Sequence, residues 1–342
     1  MLDFFLIMYY NISREKYGGD SLADKDTVTK EYMQDNEVFA DVFNFLLYDG
    51  EQIIKPEQLR PLDTTAIALP YGEDNKSAPV QKYRDVLKMV TAMQDDKMAY
   101  LLLGIENQSQ IHYAMPVRNM LYDAIQYVRQ VEDTAKSHKN GENKADSKAE
   151  FLSGFYHTDK LLPVITVTVY FGADEWNAPK SLHDMIEIDD KGLLKFIPDY
   201  KMNLIAPYNI DDWEFSKFHT ELSLAMKYIK YSKSKKRLKE LVHEDEAYRN
   251  VSRRTADMVN IVTGSDLSYK MGEERVDMCK AIEDMRKDAL AEGVIKGLAE
   301  GRKEGIISTL AGLVKDGILS LADAAQRAGM TVSEFEIKAG LR

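Results

Sequence analysis

The chain is expected to fold as an α/β domain with a mixed central β-sheet flanked by helices, followed by a helical C-terminal extension. Three features carry that expectation. Tyr83 to Gln108, YRDVLKMVTAMQDDKMAYLLLGIENQ, places two apolar runs around the polar centre Gln94-Asp95-Asp96-Lys97, the pattern of a strand, a tight turn and a returning strand. Val164 to Phe171, VITVTVYF, is a continuous and largely β-branched run, which suits a central strand covered on both faces. Apolar residues recur at helical spacing on either side of the hairpin, through Val38, Phe39, Val42 and Phe43 before it and Leu121, Ala124, Ile125 and Val128 after it.

The hairpin places chemistry as well as structure. With Asp95 and Asp96 as the turn residues, antiparallel pairing sets Asp85 opposite Glu106. Side chains alternate along a strand, so Gln108 shares the Glu106 face and Asn107 points away. Two carboxylates and an amide are therefore gathered at one end of the hairpin. Carboxylates held together repel unless a cation lies between them, and a divalent ion with oxygen ligands relieves that repulsion. The competing reading is a pair of solvated strand-end charges, which a register slip of one residue would send to opposite faces.

Taken in order, Met1 to Tyr10 is apolar but too short to span a bilayer and has no basic residues ahead of it, so it is expected to be a terminal strand or helix. Asn11 to Thr29 reads as loose and polar. Lys30 to Tyr48 is a helix ended by Asp49-Gly50, and the prolines between Glu51 and Val80 mark loop with one short strand. Glu37 and Asp41 lie one helical turn apart and share a face. After the hairpin a helix covers Val117 to Val131, with Arg118 and Tyr122 on one flank and Gln126 nearby. Thr134 to Glu150 is almost free of apolar residues and should be a mobile excursion. A short helix near Leu182 and a strand at Leu204 to Pro207 follow the β-branched run.

The last third changes character. Phe215 to Tyr231 reads as helix, and Lys227 to Lys239 gathers lysines and an arginine with no acid, including Lys235, Lys236 and Arg237. Such a cluster suits contact with a nucleic-acid backbone, or else a solvated helix face. Helical patterning continues through Val251 to Thr263 and Arg275 to Leu290. Gly293, Gly297, Gly301 and Gly305 then line one helix face, a costly pattern that either permits close approach of another helix or leaves a marginal, mobile rod. Leu321 to Phe335 holds two short helical pieces about Gly329, read as an αα-hairpin rather than a DNA-reading helix-turn-helix because no basic recognition helix follows. The expected organisation is an N-terminal segment (1–30), a core domain (31–214, with an insertion at 133–150), a helical region (215–290) and a glycine-repeat tail (291–342).

Composition narrows the function classes. At 342 residues and 44% hydrophobic content the chain can bury a substantial core, and its net charge of -11 argues against broad attraction to nucleic acid or anionic membrane while leaving room for a local basic groove. The single cysteine, Cys279, rules out an intrachain disulfide and fits a reducing cytoplasm. There is no Gly-x-Ser-x-Gly elbow, no phosphate-binding Gly-x-x-x-x-Gly-Lys and no cysteine pair for zinc. The histidines are scattered, with His112 a minor candidate beyond the Glu106 strand.

The segment from about Asp35 to Trp176 resembles the recombination-promoting nuclease family within the PD-(D/E)XK nuclease superfamily. The resemblance rests on Asn36 to Asn44 as an acidic, aromatic helix, Arg84-Asp85-Val86 as a first catalytic strand, and Glu106-Asn107-Gln108 as a Glu-x-Gln second strand. Arg118 and Tyr122 match the helix that follows, and Pro163 through Phe171-Gly172 to Trp176 a later strand. It implies a restriction-endonuclease-like core and a Mg²⁺- or Mn²⁺-dependent endonuclease acting on DNA. Asp85 and Glu106 are then the metal ligands, Gln108 stands where the superfamily more often has lysine, and Glu37 or Asp41 supplies a further acid. Arg118, Tyr122 and Gln126 would then touch substrate phosphate, or else buttress the site by a hydrogen bond or salt bridge, and the Lys235-Lys236-Arg237 run noted above would add contacts to the nucleic-acid backbone. Two departures stand out: Gln108 brings no positive charge, and Asn36 stands where the family usually has Asp. A catalytically inactive nuclease fold that binds nucleic acid, or self-associates through the tail, is the alternative.

Overall fold

The computed structural model describes residues 22–62, 65–68, 80–83, 85–94, 97–141, 145–265, 267, 269–270 and 272–341. Met1 to Tyr10, Arg84 and the turn residues Asp95 and Asp96 lie outside the described residues. Residues 1–279 and 280–342 form two compact units.

The first unit opens with helix α1 (Leu22–Gln34), where the sequence reads as loop for most of its length, and α2 (Asn36–Tyr48). The single helix expected from Lys30 to Tyr48 is thus two. Asp35 divides them because its carboxylate caps α2, accepting the N–H groups of Glu37 (2.8 Å) and Val38 (3.4 Å) while Arg254 holds it at 2.6 Å. The chain leaves α2 through Asp49 and Gly50. Gly50 sits at φ 92°, and a Cβ there would stand 2.7 Å from the Lys217 carbonyl oxygen, so only glycine admits that close approach.

The strands β1 (Arg60–Pro61), β2 (Thr65–Ala68), β3 (Val80–Tyr83), β4 (Val86–Gln94) and β5 (Lys97–Gln108) come next, β2 and β3 pairing as a separate ribbon. The β4–β5 register runs from Val86↔Ile105 to Gln94↔Lys97, the pairing expected from the sequence. Helix α3 (Met115–Asn140) extends well into the stretch read as an excursion, and a short α4 (Lys148–Ser153) lies in its remainder. Strands β6 (Val164–Tyr170) and β7 (Asn203–Ile205) complete a five-stranded mixed sheet of order β1-β4-β5-β6-β7. β5 is antiparallel to β4 and parallel to β6. The sheet is covered by helices on both faces: Phe39 of α2 lies over Lys88 of β4, and Asn119 of α3 bonds Thr168 of β6. This is the expected α/β architecture.

Helices α5 (Leu222–Tyr231), α6 (Lys235–Glu244) and α7 (Arg253–Thr263) follow, the last flanked by the small β8–β9 ribbon (Val251–Ser252 with Arg275–Val276). A 3-10 turn at Glu214–Lys217 replaces the start of the helix expected from Phe215. Helix α8 (Met278–Lys315) runs straight through the glycine repeat. In the second unit α9 (Leu321–Ala328) and α10 (Val332–Ala339) turn about Gly329, φ 69°, and bury Phe335 against Ala311, Ala324 and Ala325. Thr331 and Glu334 form a reciprocal capping box at the start of α10.

Candidate functional site

The site lies where β5 ends, β4 begins and α3 starts. Continuing the β4–β5 register by one pair sets Asp85 against Glu106. Asp85 accepts the backbone N–H of Asn107 at 2.8 Å, so it is fastened to the partner strand beside Glu106. Burial raises the Asp85 pKa, opposed by the Asn107 N–H and the charges of Arg118 and Lys30 and reinforced by Asp26. Glu106 has no exposed surface, and Arg118 Nη2 approaches its Oε2 to 3.3 Å. The Arg118 Nε donates to the Tyr122 hydroxyl at 3.2 Å, one helical turn further along α3. Burial alone would lower the Arg118 pKa, yet Glu106, the Tyr122 hydroxyl and Asp85 together hold it above its usual value. Burial and Glu106 push the Tyr122 phenol up. Asp85, Glu106, Arg118 and Tyr122 are thus one electrostatic unit.

Other residues singled out in the sequence sit differently. By strand alternation Gln108 shares the Glu106 face, but its amide donates to the Asn107 carbonyl at 2.7 Å. Gln126 is buried two turns beyond Arg118 on α3. Glu37 is exposed in the first turn of α2. Asp41 is buried and accepts the backbone N–H groups of His219 (2.9 Å) and Thr220 (2.8 Å) and the Thr220 hydroxyl (2.6 Å). Its oxygens therefore tie the loop before α5 to α2. His112 is exposed in the loop ahead of α3.

The structure adds an acid that the sequence pattern does not single out. Asp26 of α1 accepts the Ser109 hydroxyl at 2.6 Å, just past the end of β5, and is near enough to raise the Asp85 pKa. The signal that could have found it is the helical spacing of Thr29, Tyr32 and Met33, all buried, which marks Asp26 as part of a helix rather than a loop. Behind Arg118, a buried polar seam joins α3 to β6: Asn119 bonds the Thr168 hydroxyl at 2.9 Å, and Asp123 takes the hydroxyls of Thr166 and Tyr200.

All donors at this end of β5 are oxygens, the set a hard divalent ion prefers. A positive charge is already required there, and Arg118 supplies it. Among the described residues, Asp26, Asp85 and Glu106 do not form a trio with ligand atoms all within 4.8 Å, so three-point coordination would draw them closer. Asp146, Glu150 and His157 do form such a trio. There the Glu150 carboxylate, held down to about 2 chiefly by the His157 backbone N–H, is already bonded to the N–H groups of His157 and Asp146 and to His157 Nδ1, a clamp on the loop around α4.

Of the basic cluster, Lys230 pairs with Asp212 at 2.8 Å, Lys233 with Asp174 at 2.6 Å, and Lys236 lies 3.9 Å from Glu240. Lys235, Lys236 and Arg237 are exposed in the first turn of α6, where positive charge opposes the helix dipole. Asp174 lies just past the end of β6, and β6 ends beside Gln108, so its bond to Lys233 anchors the start of α6 toward the same end of the sheet.

Residues 24–255, about two-thirds of the chain, match the family model described as "Putative transposase, YhgA-like". The chain belongs to that family. The matched span includes Asp26, Asp85, Glu106, Arg118 and the start of α6, so the YhgA-like family region contains the whole candidate site. No curated protein and no solved structure matches the chain. Among the described residues no helix is long and apolar enough to cross a membrane.

Proposed function

We propose that this YhgA-like transposase-family chain is a metal-dependent DNA endonuclease. The observation that carries the reading is the pairing of Asp85 with Glu106 across one hairpin end, with a single guanidinium coupled to both. Asp85 and Glu106 would hold Mg²⁺ or Mn²⁺, with Asp26 approaching from the α1 side. When bound, the ion lowers the pKa of a water and neutralises charge that builds on the phosphate oxygens.

The chain's own residues do the rest. Asn107 fixes Asp85 through its backbone N–H, which sets the aim of that carboxylate. Arg118 and Tyr122 lie beside the acids and present cation and hydroxyl to a phosphate. Gln108 brings no charge, and its amide is engaged with backbone. Lys235, Lys236 and Arg237 offer salt-sensitive contacts to the nucleic-acid backbone without reading sequence.

The second reading, an inactive nuclease fold that binds nucleic acid, draws support from Gln108, since no lysine stands where the superfamily commonly has one. Nicking of supercoiled plasmid in Mg²⁺ separates the two: wild type cuts, while Asp85→Asn and Glu106→Gln do not. No nicking by wild type favours the binding module, and equal nicking by all three overturns the assignment of Asp85 and Glu106. Self-association of the tail is supported by the exposure of Leu290, Val294 and Leu298 on α8, beside glycines where an added Cβ would meet no neighbour. Sedimentation of the full chain against Leu298→Glu checks it, the variant running as the smaller species.

A further inference from the structure

Glu106 is completely buried, so its carboxylate is stable as an anion only beside a counter-charge. In this structure that counter-charge is a side chain. We propose that Arg118 is a tethered counter-ion that competes with the metal for Glu106 and, once displaced, turns with Tyr122 to the substrate phosphate, so that metal and DNA load in a linked order. The inference rests on the endonuclease reading and adds a regulatory step to the same site.

Four observations carry it. The Arg118–Glu106 contact, one nitrogen to one oxygen at 3.3 Å, is longer than a strong guanidinium–carboxylate bond, so it can be exchanged. The Arg118 side chain is one-third exposed while Glu106 is not exposed at all, so Arg118 is the member of the pair that reaches solvent. Tyr122 accepts from Nε at 3.2 Å, a second contact about which the head can turn. Met115 and Pro116 bury the start of α3, so the backbone can stay in place while the long side chain moves. A divalent ion at Asp85 and Glu106 would repel the guanidinium from the same oxygens and free it where phosphate charge arrives.

The test is calorimetric titration of the full-length protein with Mn²⁺ in the absence of nucleic acid. Arg118→Gln should bind the ion about tenfold tighter than wild type, the change that ~1.4 kcal/mol represents, and Glu106→Gln should lose binding. Arg118→Lys keeps a charge at the position and should lie between wild type and Arg118→Gln. If Arg118→Gln fails to fold, the wild-type protein still decides: its Arg118 Nε–H resonance, identified by its absence in Arg118→Lys, should shift on saturation with Mg²⁺. Binding that needs Glu106 but is equal or weaker in Arg118→Gln, or an Nε–H resonance unmoved by Mg²⁺, overturns the exchange and leaves the endonuclease reading standing. Absence of metal binding in every protein overturns both.

Discussion

The two faces of the central sheet treat polar groups in opposite ways. Toward α1 and α2 the sheet presents Val86, Val90, Leu103, Ile105, Val167 and Val169, all buried, with Lys88 and Asn107 as the polar members. Lys88 serves structure: its ammonium donates to the Gln34 carbonyl (2.7 Å) at the end of α1 and to Asn36 Oδ1 (2.6 Å) at the start of α2, over the Phe39 ring. Toward α3 the sheet buries Glu106, Gln108, Thr166 and Thr168, and α3 answers with Asn119, Asp123 and Gln126. Buried polar groups cost stability unless paired, and on the α3 face they pair across the helix–sheet seam, Asn119 with Thr168 and Asp123 with Thr166. Under the endonuclease proposal the α3 face is the one that carries the chemistry, while the other face docks α1 and α2.

The sharpest way to break that contrast is substitution at the acids. Asp85→Asn or Glu106→Gln should cut Mg²⁺-dependent nicking by about a thousandfold while circular dichroism stays unchanged. Asp41→Ala should instead cost about 3 kcal/mol of stability, because buried donors at His219 and Thr220 lose their acceptor. Urea melts measure that loss, and nicking per folded molecule should not change; a selective loss of cutting would place Asp41 with the chemistry. Replacing Lys235, Lys236 and Arg237 together by Ala should flatten the salt dependence of DNA binding by about 2.7 in log–log slope, since each neutralised phosphate contributes roughly 0.9, with no change in the metal titration.

Lys88 gives a pH signature. Burial pushes its pKa down to about 8, below the ordinary 10.5, so between those values the unfolded chain binds more protons than the folded one. Stability should therefore rise as pH climbs from about 8 toward about 10, and Lys88→Met should lack that rise in urea melts. The smallest effect is expected at Glu37, exposed on α2: Glu37→Ala should move stability by less than about 0.5 kcal/mol and leave cutting intact.

Much of the sheet was legible because its signals are local. The polar break between the two runs gave the β4–β5 register, which continued by one pair sets Asp85 opposite Glu106. The β-branched run from Val164 marked β6, a strand that here lies between β5 and β7. Other features depend on partners far along the chain and left little local trace. Asp41 looks like a surface helix acid until the loop at His219 and Thr220 closes on it. Asp35 splits the expected helix partly because Arg254 holds it. The α8 helix persists through its glycines although each one disfavours helix by about 1 kcal/mol relative to alanine.

The two-sided pairing of β5 also bears on how the molecule assembles. Its contact with β4 is local, ending at the Gln94–Lys97 pair, a step of microseconds, whereas β6 must return from beyond α3 and α4. Asp85 and Glu106 are therefore neighbours in a nascent ribbon before Thr168 and the α3 arm arrive. During that interval their mutual repulsion is unshielded except by ions from solution. Refolding should accordingly quicken when Mg²⁺ is present from the first millisecond and gain nothing when it is added after the sheet has closed.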